Sequence, residues 1–181
     1  RNPKAMFYDR TLTMEEYLDS PINVDPLRRH DCCLSTDGAV AVIVTSAERA
    51  KHLKQKPAYI SAAVQGTSTN GEQMTSYYRE DIATLPEVEA YGQKLFKMAG
   101  ITPREIDVAQ FYDAFSPLVP MQLEALGFVP KGEGVPYCEG GHRIRRDGEL
   151  PINTAGGLMS EGYLHGMNLI TEGVRQVRGT S

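Results

Sequence analysis

Several things are scarce in this chain, and each scarcity excludes a class. Cysteine occurs three times, at Cys32, Cys33 and Cys138. Two are neighbours and the count is odd, so no disulfide framework is expected and a reduced, cytoplasmic setting follows. There is no Cys-x-x-Cys pair and no His-Glu-x-x-His. The four histidines (His30, His52, His142, His165) are scattered, so no metal site is expected. Positive charge is not in excess: 19 Lys and Arg against 23 Asp and Glu leave −4, which argues against nucleic acid as a partner. The longest apolar run, Ala39 to Val44, is too short to cross a bilayer, so no membrane association is expected. No secretory signal, tandem repeat or low-complexity tract is visible. The chain opens on Arg1 rather than Met, so a missing upstream stretch, a targeting segment included, is the expectation. What remains is 181 residues, 41% hydrophobic and 23% charged, enough to bury a core.

Regular elements can be placed by pattern. Residues 1–37 read as irregular, with a helical turn or two after Thr13, capped by Thr13 with Glu16 as its reciprocal partner. Ala39 to Val44 reads as a strand buried on both faces. Ser46 can cap a short helix through Lys51, and Ala58 to Val64 is a second strand. Residues 65–85 are polar and Gly-containing, a long surface loop. Pro86 opens a helix that Thr84 or the residue after it can cap. Its stripe is Val88, Tyr91, Leu95 and Met98, and Gly100 stops it. Thr102 and Pro103 make a brief turn. Ile106 to Phe111 is a third strand, and Ser116-Pro117 begins a second helix closed by Gly127. Residues 128–149 form another loop. A short strand near Leu150 to Asn153 leads to a third helix from about Ser160 to Arg178. Tyr163, Met167, Ile170, Val174 and Val177 are its core-facing stripe.

The alternation after residue 55 argues for an α/β fold, a mixed β-sheet with helices on its faces. Ligands in such sheets bind beyond the C-terminal ends of strands. Two segments are thereby singled out: Tyr112-Asp113-Ala114-Phe115-Ser116, and Asn153 through His165. A phenol at Tyr112 needs help to act as a base, since its ordinary pKa is near 10; a neighbouring helix N-terminus would favour the phenolate. The plainer alternative is a buried ring, with Asp113 capping the next helix. Gly156, Gly157, Gly162 and Gly166 allow close backbone approach, and their amides can hold an oxyanion. The plainer alternative there is a tight turn, with Tyr163 on the apolar stripe. Cys138 lacks a nearby base, and Cys33 reads as packing. Arg143, Arg145 and Arg146 read as a solvated cluster.

At these segments the chain resembles the C-terminal half of a thiolase, over nearly all 181 residues. Asp31-Cys32-Cys33 with Asp37-Gly38-Ala39-Val40-Ala41-Val42-Ile43-Val44 is similar to the stretch closing the N-terminal half. That division implies 1–52 as the end of that half and 53–181 as a truncated C-terminal domain. Tyr112-Asp113-Ala114-Phe115 occupies the place of the Asn-Glu-Ala-Phe motif, and is nearer the His-Asp-Cys-Phe version of the sterol carrier protein X type. Asn153-Thr154-Ala155-Gly156-Gly157 looks like Asn-x-x-Gly-Gly, and Gly162-Tyr163-Leu164-His165-Gly166 falls on Gly-His-Pro-x-Gly. Tyr163 stands where thiolases carry the histidine that activates their cysteine, and Tyr112 replaces the Asn or His of the other motif. On this resemblance the nucleophilic cysteine would precede Arg1, and the Cys-x-Gly cysteine and final strands would follow Ser181.

Tyrosines at both positions resemble the lipid-transfer-protein branch that includes the steroid side-chain aldolases. The resemblance implies retro-aldol cleavage of a β-hydroxyacyl-CoA, releasing a ketone steroid and propionyl-CoA. Coenzyme A enters as part of the substrate, with no other cofactor. It also implies a homodimer and an OB-fold, zinc-ribbon partner protein. Tyr112 and Tyr163 would exchange protons, and Asp113 and His165 would orient them. Asn153, Gly156, Gly157, Phe115 and Ser116 would contact the substrate or CoA. Two alternatives stand beside this: a thiolase-type acyltransferase with an upstream cysteine, and a noncatalytic acyl-CoA-binding module.

Overall fold

The computed structural model describes residues 3–67 and 80–181. Within these, α1 is Met14–Asp19, followed by the short antiparallel pair β1 (Ile22–Val24) and β2 (Leu27–Arg28) and a 3-10 turn at Arg29–Asp31. Then come α2 (Ala47–Ala50), α3 (Pro86–Ala99), a 3-10 turn at Pro103–Glu105, α4 (Leu118–Ala125), α5 (Gly134–Cys138), α6 (Gly157–Ser160) and α7 (Met167–Arg178). The expected caps are in place. Thr13 and Glu16 form a reciprocal capping box on α1, and Ser46 accepts from Arg49 N on α2. Leu85 precedes Pro86 at the start of α3, and Gly100 ends it at φ 71°. Most of the loop expected at 65–85 lies outside the described residues.

Two compact units interleave along the chain. One comprises Arg1–Ala58, Val108–Leu118 and Pro151–Ser181; the other comprises Tyr59–Asp107 and Val119–Leu150. In the second unit, Val88 on α3 and Leu123 on α4 are buried. Gly92 of α3 lies against Leu126, where a Cβ would come within 2.7 Å of Cδ2. Phe96 and Phe128 meet edge-on at 6.2 Å between centroids. An open cleft of about 410 Å³ in this unit is lined by Val129, Pro130, Lys131, Glu133, Tyr137 and Arg143.

The first unit carries both motif segments. Here the expected strands reduce to single bridges. Ala109 pairs in parallel with Ile152, and Cys32 pairs antiparallel with Phe115. Ala109 N donates to Pro151 O at 3.0 Å, and Asn153 N donates to Ala109 O at 3.1 Å. Then the Asn153 side chain takes over the ladder. Its Oδ1 accepts from Phe111 N at 2.7 Å and its Nδ2 donates to Phe111 O at 3.0 Å. Asn153 sits at φ 48°, a left-handed conformation that Asn tolerates better than most residues.

Three expectations need correction. Ala39–Val44 is not a strand buried on both faces: Ile43 is 90% exposed and Val44 76%. Ala58–Val64 likewise forms no ladder among the described residues, and Ile60 is 69% exposed. An apolar run shows what a segment would bury, but a strand also needs a paired backbone. The third helix is split. Residues 161–166 leave the helix, with His165 at φ 54° and Gly166 at φ 83°. On α7 the buried side chains are Asn168, Leu169 and Glu172, whereas Met167, Ile170 and Val177 are exposed. The apolar stripe therefore faces outward in this chain. Glu172 faces inward because Thr154 Oγ1, Gln176 Nε2 and Ser181 Oγ all donate to its Oε1.

Candidate active site

Tyr112 leaves the bridged segment just beyond Phe111, and Tyr163 stands in the non-helical stretch between α6 and α7. Their hydroxyls meet at 2.7 Å. Tyr163 Oη also hydrogen-bonds His165 Nδ1 at 2.9 Å. The result is a continuous chain from half-buried Tyr112 through Tyr163 to exposed His165. The three rings pack edge-on or tilted, 5.4 to 6.3 Å apart. Gly166 lets the backbone pass close to the Tyr112 ring, where a Cβ would lie 3.4 Å from Cδ2. Tyr163 therefore serves this cluster rather than the α7 stripe.

The electrostatics reverse the expected phenolate at Tyr112. Burial pushes its phenol far above the ordinary tyrosine range, and the hydrogen bond with Tyr163 pushes it further. Tyr112 therefore holds its proton at neutral pH. Asp113 is buried, and burial raises its carboxyl against opposing hydrogen bonds from Leu158 N, Asn153 and Met159 N. Its Oδ1 accepts from Leu158 N at 2.9 Å. Asp113 thus caps the turn at Gly157 rather than helix α4. Gly157 is at φ 62°, and a Cβ there would run into the Asp113 carboxyl.

The remaining predicted site residues are placed as follows. Asn153 spends its side-chain amide on Phe111, and Gly156, at φ 110°, starts the turn into α6. Phe115 forms the bridge to Cys32. Ser116 Oγ donates to Asp31 Oδ1 at 2.6 Å. Burial pushes the thiols of Cys33 and Cys138 upward, which suits packing and not nucleophilic attack. No group of three His, Cys, Asp or Glu that could hold a metal ion exists among the described residues. No helix among them is long and apolar enough to cross a membrane.

Sequence reasoning missed Asp31. Its buried carboxylate accepts from Tyr17 Oη at 2.9 Å, Arg28 N at 2.8 Å and Ser116 Oγ. It ties the first thirty residues to the segment that carries Tyr112. No spacing in the sequence marks it, because its partners are 3, 14 and 85 residues away.

Comparison with known proteins bears on what this cluster belongs to. The family described as "Thiolase C-terminal domain-like" matches residues 66–181. The chain belongs to that family. Over 99% of its length it is 50% identical to a 17-hydroxy-3-oxo-4-pregnene-20-carboxyl-CoA lyase of Mycobacterium tuberculosis, covering 46% of that protein. It is 47% identical to a steroid side-chain-cleaving aldolase of Thermomonospora curvata, again over 99% of this chain and 46% of the relative. A solved structure, the "Ltp2-ChsH2(DUF35) aldolase", superimposes with a TM-score of 0.93 at 46% identity, covering 99% of this chain and 47% of that one. Thiolases and sterol carrier protein 2 stand further away. The chain spans about half the length of the curated relatives it matches. The thiolase-like fold expected from the motifs is thereby shown.

Proposed function

We propose that this chain carries the proton-transfer half of a carbon–carbon lyase, one that cleaves a β-hydroxyacyl-CoA by a retro-aldol step. The observation that carries this reading is the chain Tyr112–Tyr163–His165, at 2.7 and 2.9 Å. A retro-aldol needs a base for the hydroxyl proton, scission of the bond between the carbinol and α-carbons, and stabilisation of the CoA enolate. Tyr163 takes the hydroxyl proton as it passes its own to His165 Nδ1. The carbinol becomes a ketone, and the bonding electrons move onto the thioester as an enolate. Tyr112, which keeps its proton at neutral pH, donates to that enolate, whose α-carbon ends protonated. His165 then passes its extra proton back through Tyr163 to Tyr112, so all three side chains regain their starting protonation and no proton is gained or lost overall.

No covalent carrier enters this sequence, and coenzyme A is needed only as part of the substrate. Asp113 holds the Gly157 turn under the tyrosines, and Asn153, Gly156, Gly157, Phe115 and Ser116 frame the thioester. A steroid side-chain CoA ester releasing propionyl-CoA is the substrate class, supported by the names of the two relatives above. The name of the solved structure supports a partner of the DUF35 kind, and a homodimer completes the assembly.

The test uses the intact protein with its partner. Tyr163→Phe keeps the ring and removes the hydroxyl, so cleavage should fall by roughly 10²- to 10⁴-fold with little change in melting temperature. Tyr112→Phe should behave alike. The double variant should lose less than the product of the two, because the phenols act as one unit. Wild-type rates in both single variants would overturn the reading. Thiol-dependent cleavage of a 3-ketoacyl-CoA would instead identify an acyltransferase. Binding of acyl-CoA without turnover would identify a carrier.

A further inference from the structure

The peptide unit that precedes Tyr163 is gripped at both of its polar ends. Its carbonyl, that of Gly162, accepts from Asn168 Nδ2 at 3.0 Å. Its N–H, that of Tyr163, donates to Thr36 Oγ1 at 3.1 Å. The two grips come from opposite directions along the chain. Thr36 lies in the irregular segment after Cys33, and Asn168 lies in the first turn of α7. The same Asn168 nitrogen reaches Glu161 Oε2 at 3.1 Å and Gly157 O at 3.5 Å. It therefore spans the stretch that runs from the Asp113-capped turn to Tyr163.

Asn168 is only 3% exposed, and its Oδ1 is buried without a hydrogen-bond partner among the described residues. A buried orphan oxygen is unfavourable. A leucine of similar size would avoid it, so the amide has to be offset by what its nitrogen holds. Thr36 is also more than an acceptor, because its Cγ2 would lie 3.2 Å from a Cβ at Gly162 and so covers that residue. Fixing a peptide plane at both ends fixes the direction in which the next side chain leaves. For Tyr163 that direction decides whether the phenol reaches both Tyr112 and His165. A misplacement of about 1 Å in a reacting group costs on the order of 10²-fold in rate.

We propose that Thr36 and Asn168 are positioning residues for Tyr163: together they clamp the Gly162–Tyr163 peptide and so hold the phenol in its two hydrogen bonds. The effect on turnover rests on the proton-transfer role assigned to Tyr163 above.

The test has a kinetic arm and a spectroscopic arm, both on the intact protein with its partner. Thr36→Val keeps the shape and removes the acceptor, so kcat for β-hydroxyacyl-CoA cleavage should fall about 10-fold while KM stays within about twofold. Thr36→Ser keeps the oxygen and should restore kcat to within about twofold of the parent. In a Tyr163→Phe background, Thr36→Val should cost nothing further, since no phenol remains to be aimed. A loss of the same size in that background would show a general structural role and overturn the clamp. In protein labelled at tyrosine Cζ, the Tyr112 and Tyr163 carbon resonances should move in Thr36→Val and Asn168→Leu and stay in place in Thr36→Ser. If the parent cleaves no β-hydroxyacyl-CoA, the functional reading fails and the resonances alone decide the clamp. Unmoved resonances in folded Thr36→Val protein overturn it, whether or not Asn168→Leu folds.

Discussion

Asp31 and Tyr112 show how burial has opposite outcomes in one unit. Tyr112 is half-buried beside another hydroxyl, and both that burial and the hydrogen bond with Tyr163 hold its proton in place. Burial also pushes the Asp31 carboxyl upward, but hydrogen bonds from Ser116, Arg28 N and Tyr17 outweigh it and leave the group below its usual range. The sign follows. A carboxyl whose folded pKa is depressed contributes stability above its unfolded pKa, near 4, and that stability is lost as pH falls through the folded value. Melting temperature measured from pH 6 to pH 3 should therefore fall more steeply in the parent than in Asp31→Asn. At neutral pH the variant should be less stable by about 1.5–3 kcal/mol, the usual loss for hydrogen bonds to a charged group. Parallel pH profiles in the two proteins would show that the fold does not lower the Asp31 carboxyl below its unfolded value.

At the scale of elements, the stretch from α6 to α7 is organised by where glycine is required and where it is merely present. Gly157 is at φ 62°, with the Asp113 carboxyl where a Cβ would stand. Gly173 lies inside α7 with no neighbour within 4 Å of a Cβ. Gly157→Ala should therefore cost about 1–3 kcal/mol, through backbone strain and displacement of Asp113, and should abolish cleavage. Gly173→Ala should gain about 0.5–1 kcal/mol by removing helix-interior glycine, with activity unchanged. Denaturant midpoints of the two variants check both signs. Equal effects would mean that the turn at Gly157 tolerates a side chain, and that Asp113 does not fix it.

At the scale of the molecule, much large apolar surface stands open. Ile43 and Val44 on one extended segment, Ile60 on another, and Ile170 and Val177 on α7 are all exposed. Large apolar side chains left exposed in each unit are candidates for burial against a partner. The 181-residue chain by itself should associate as its concentration rises into the micromolar range. Ile43→Lys with Ile60→Lys should reduce that association without altering the circular dichroism spectrum. Sedimentation velocity over a concentration series reads this directly, and a parent chain that stays monomeric throughout would refute it.

Local caps and stops, and the two segments whose tyrosines meet, were readable from the amino-acid order alone. Caps at Thr13 and Ser46, the Pro86 start and the Gly100 stop depend on residues within one turn of each other, so they were legible. Tyr112 and Tyr163 were legible because strand-end topology and motif order both pointed to them. That the two phenols touch, that Tyr112 keeps its proton, and that Asp113 serves the Gly157 turn could be read only from the folded chain. Those outcomes rest on contacts across 45 to 51 residues, which no local pattern encodes. The same limit explains the errors. Ala39–Val44 had the composition of a buried strand but pairs with no backbone among the described residues. The α7 stripe had helical spacing, yet Glu172 turned the polar face inward because Thr154 and Ser181 converge on it from other parts of the chain. Periodicity reports that a face is apolar; what that face meets is a property of the assembled fold.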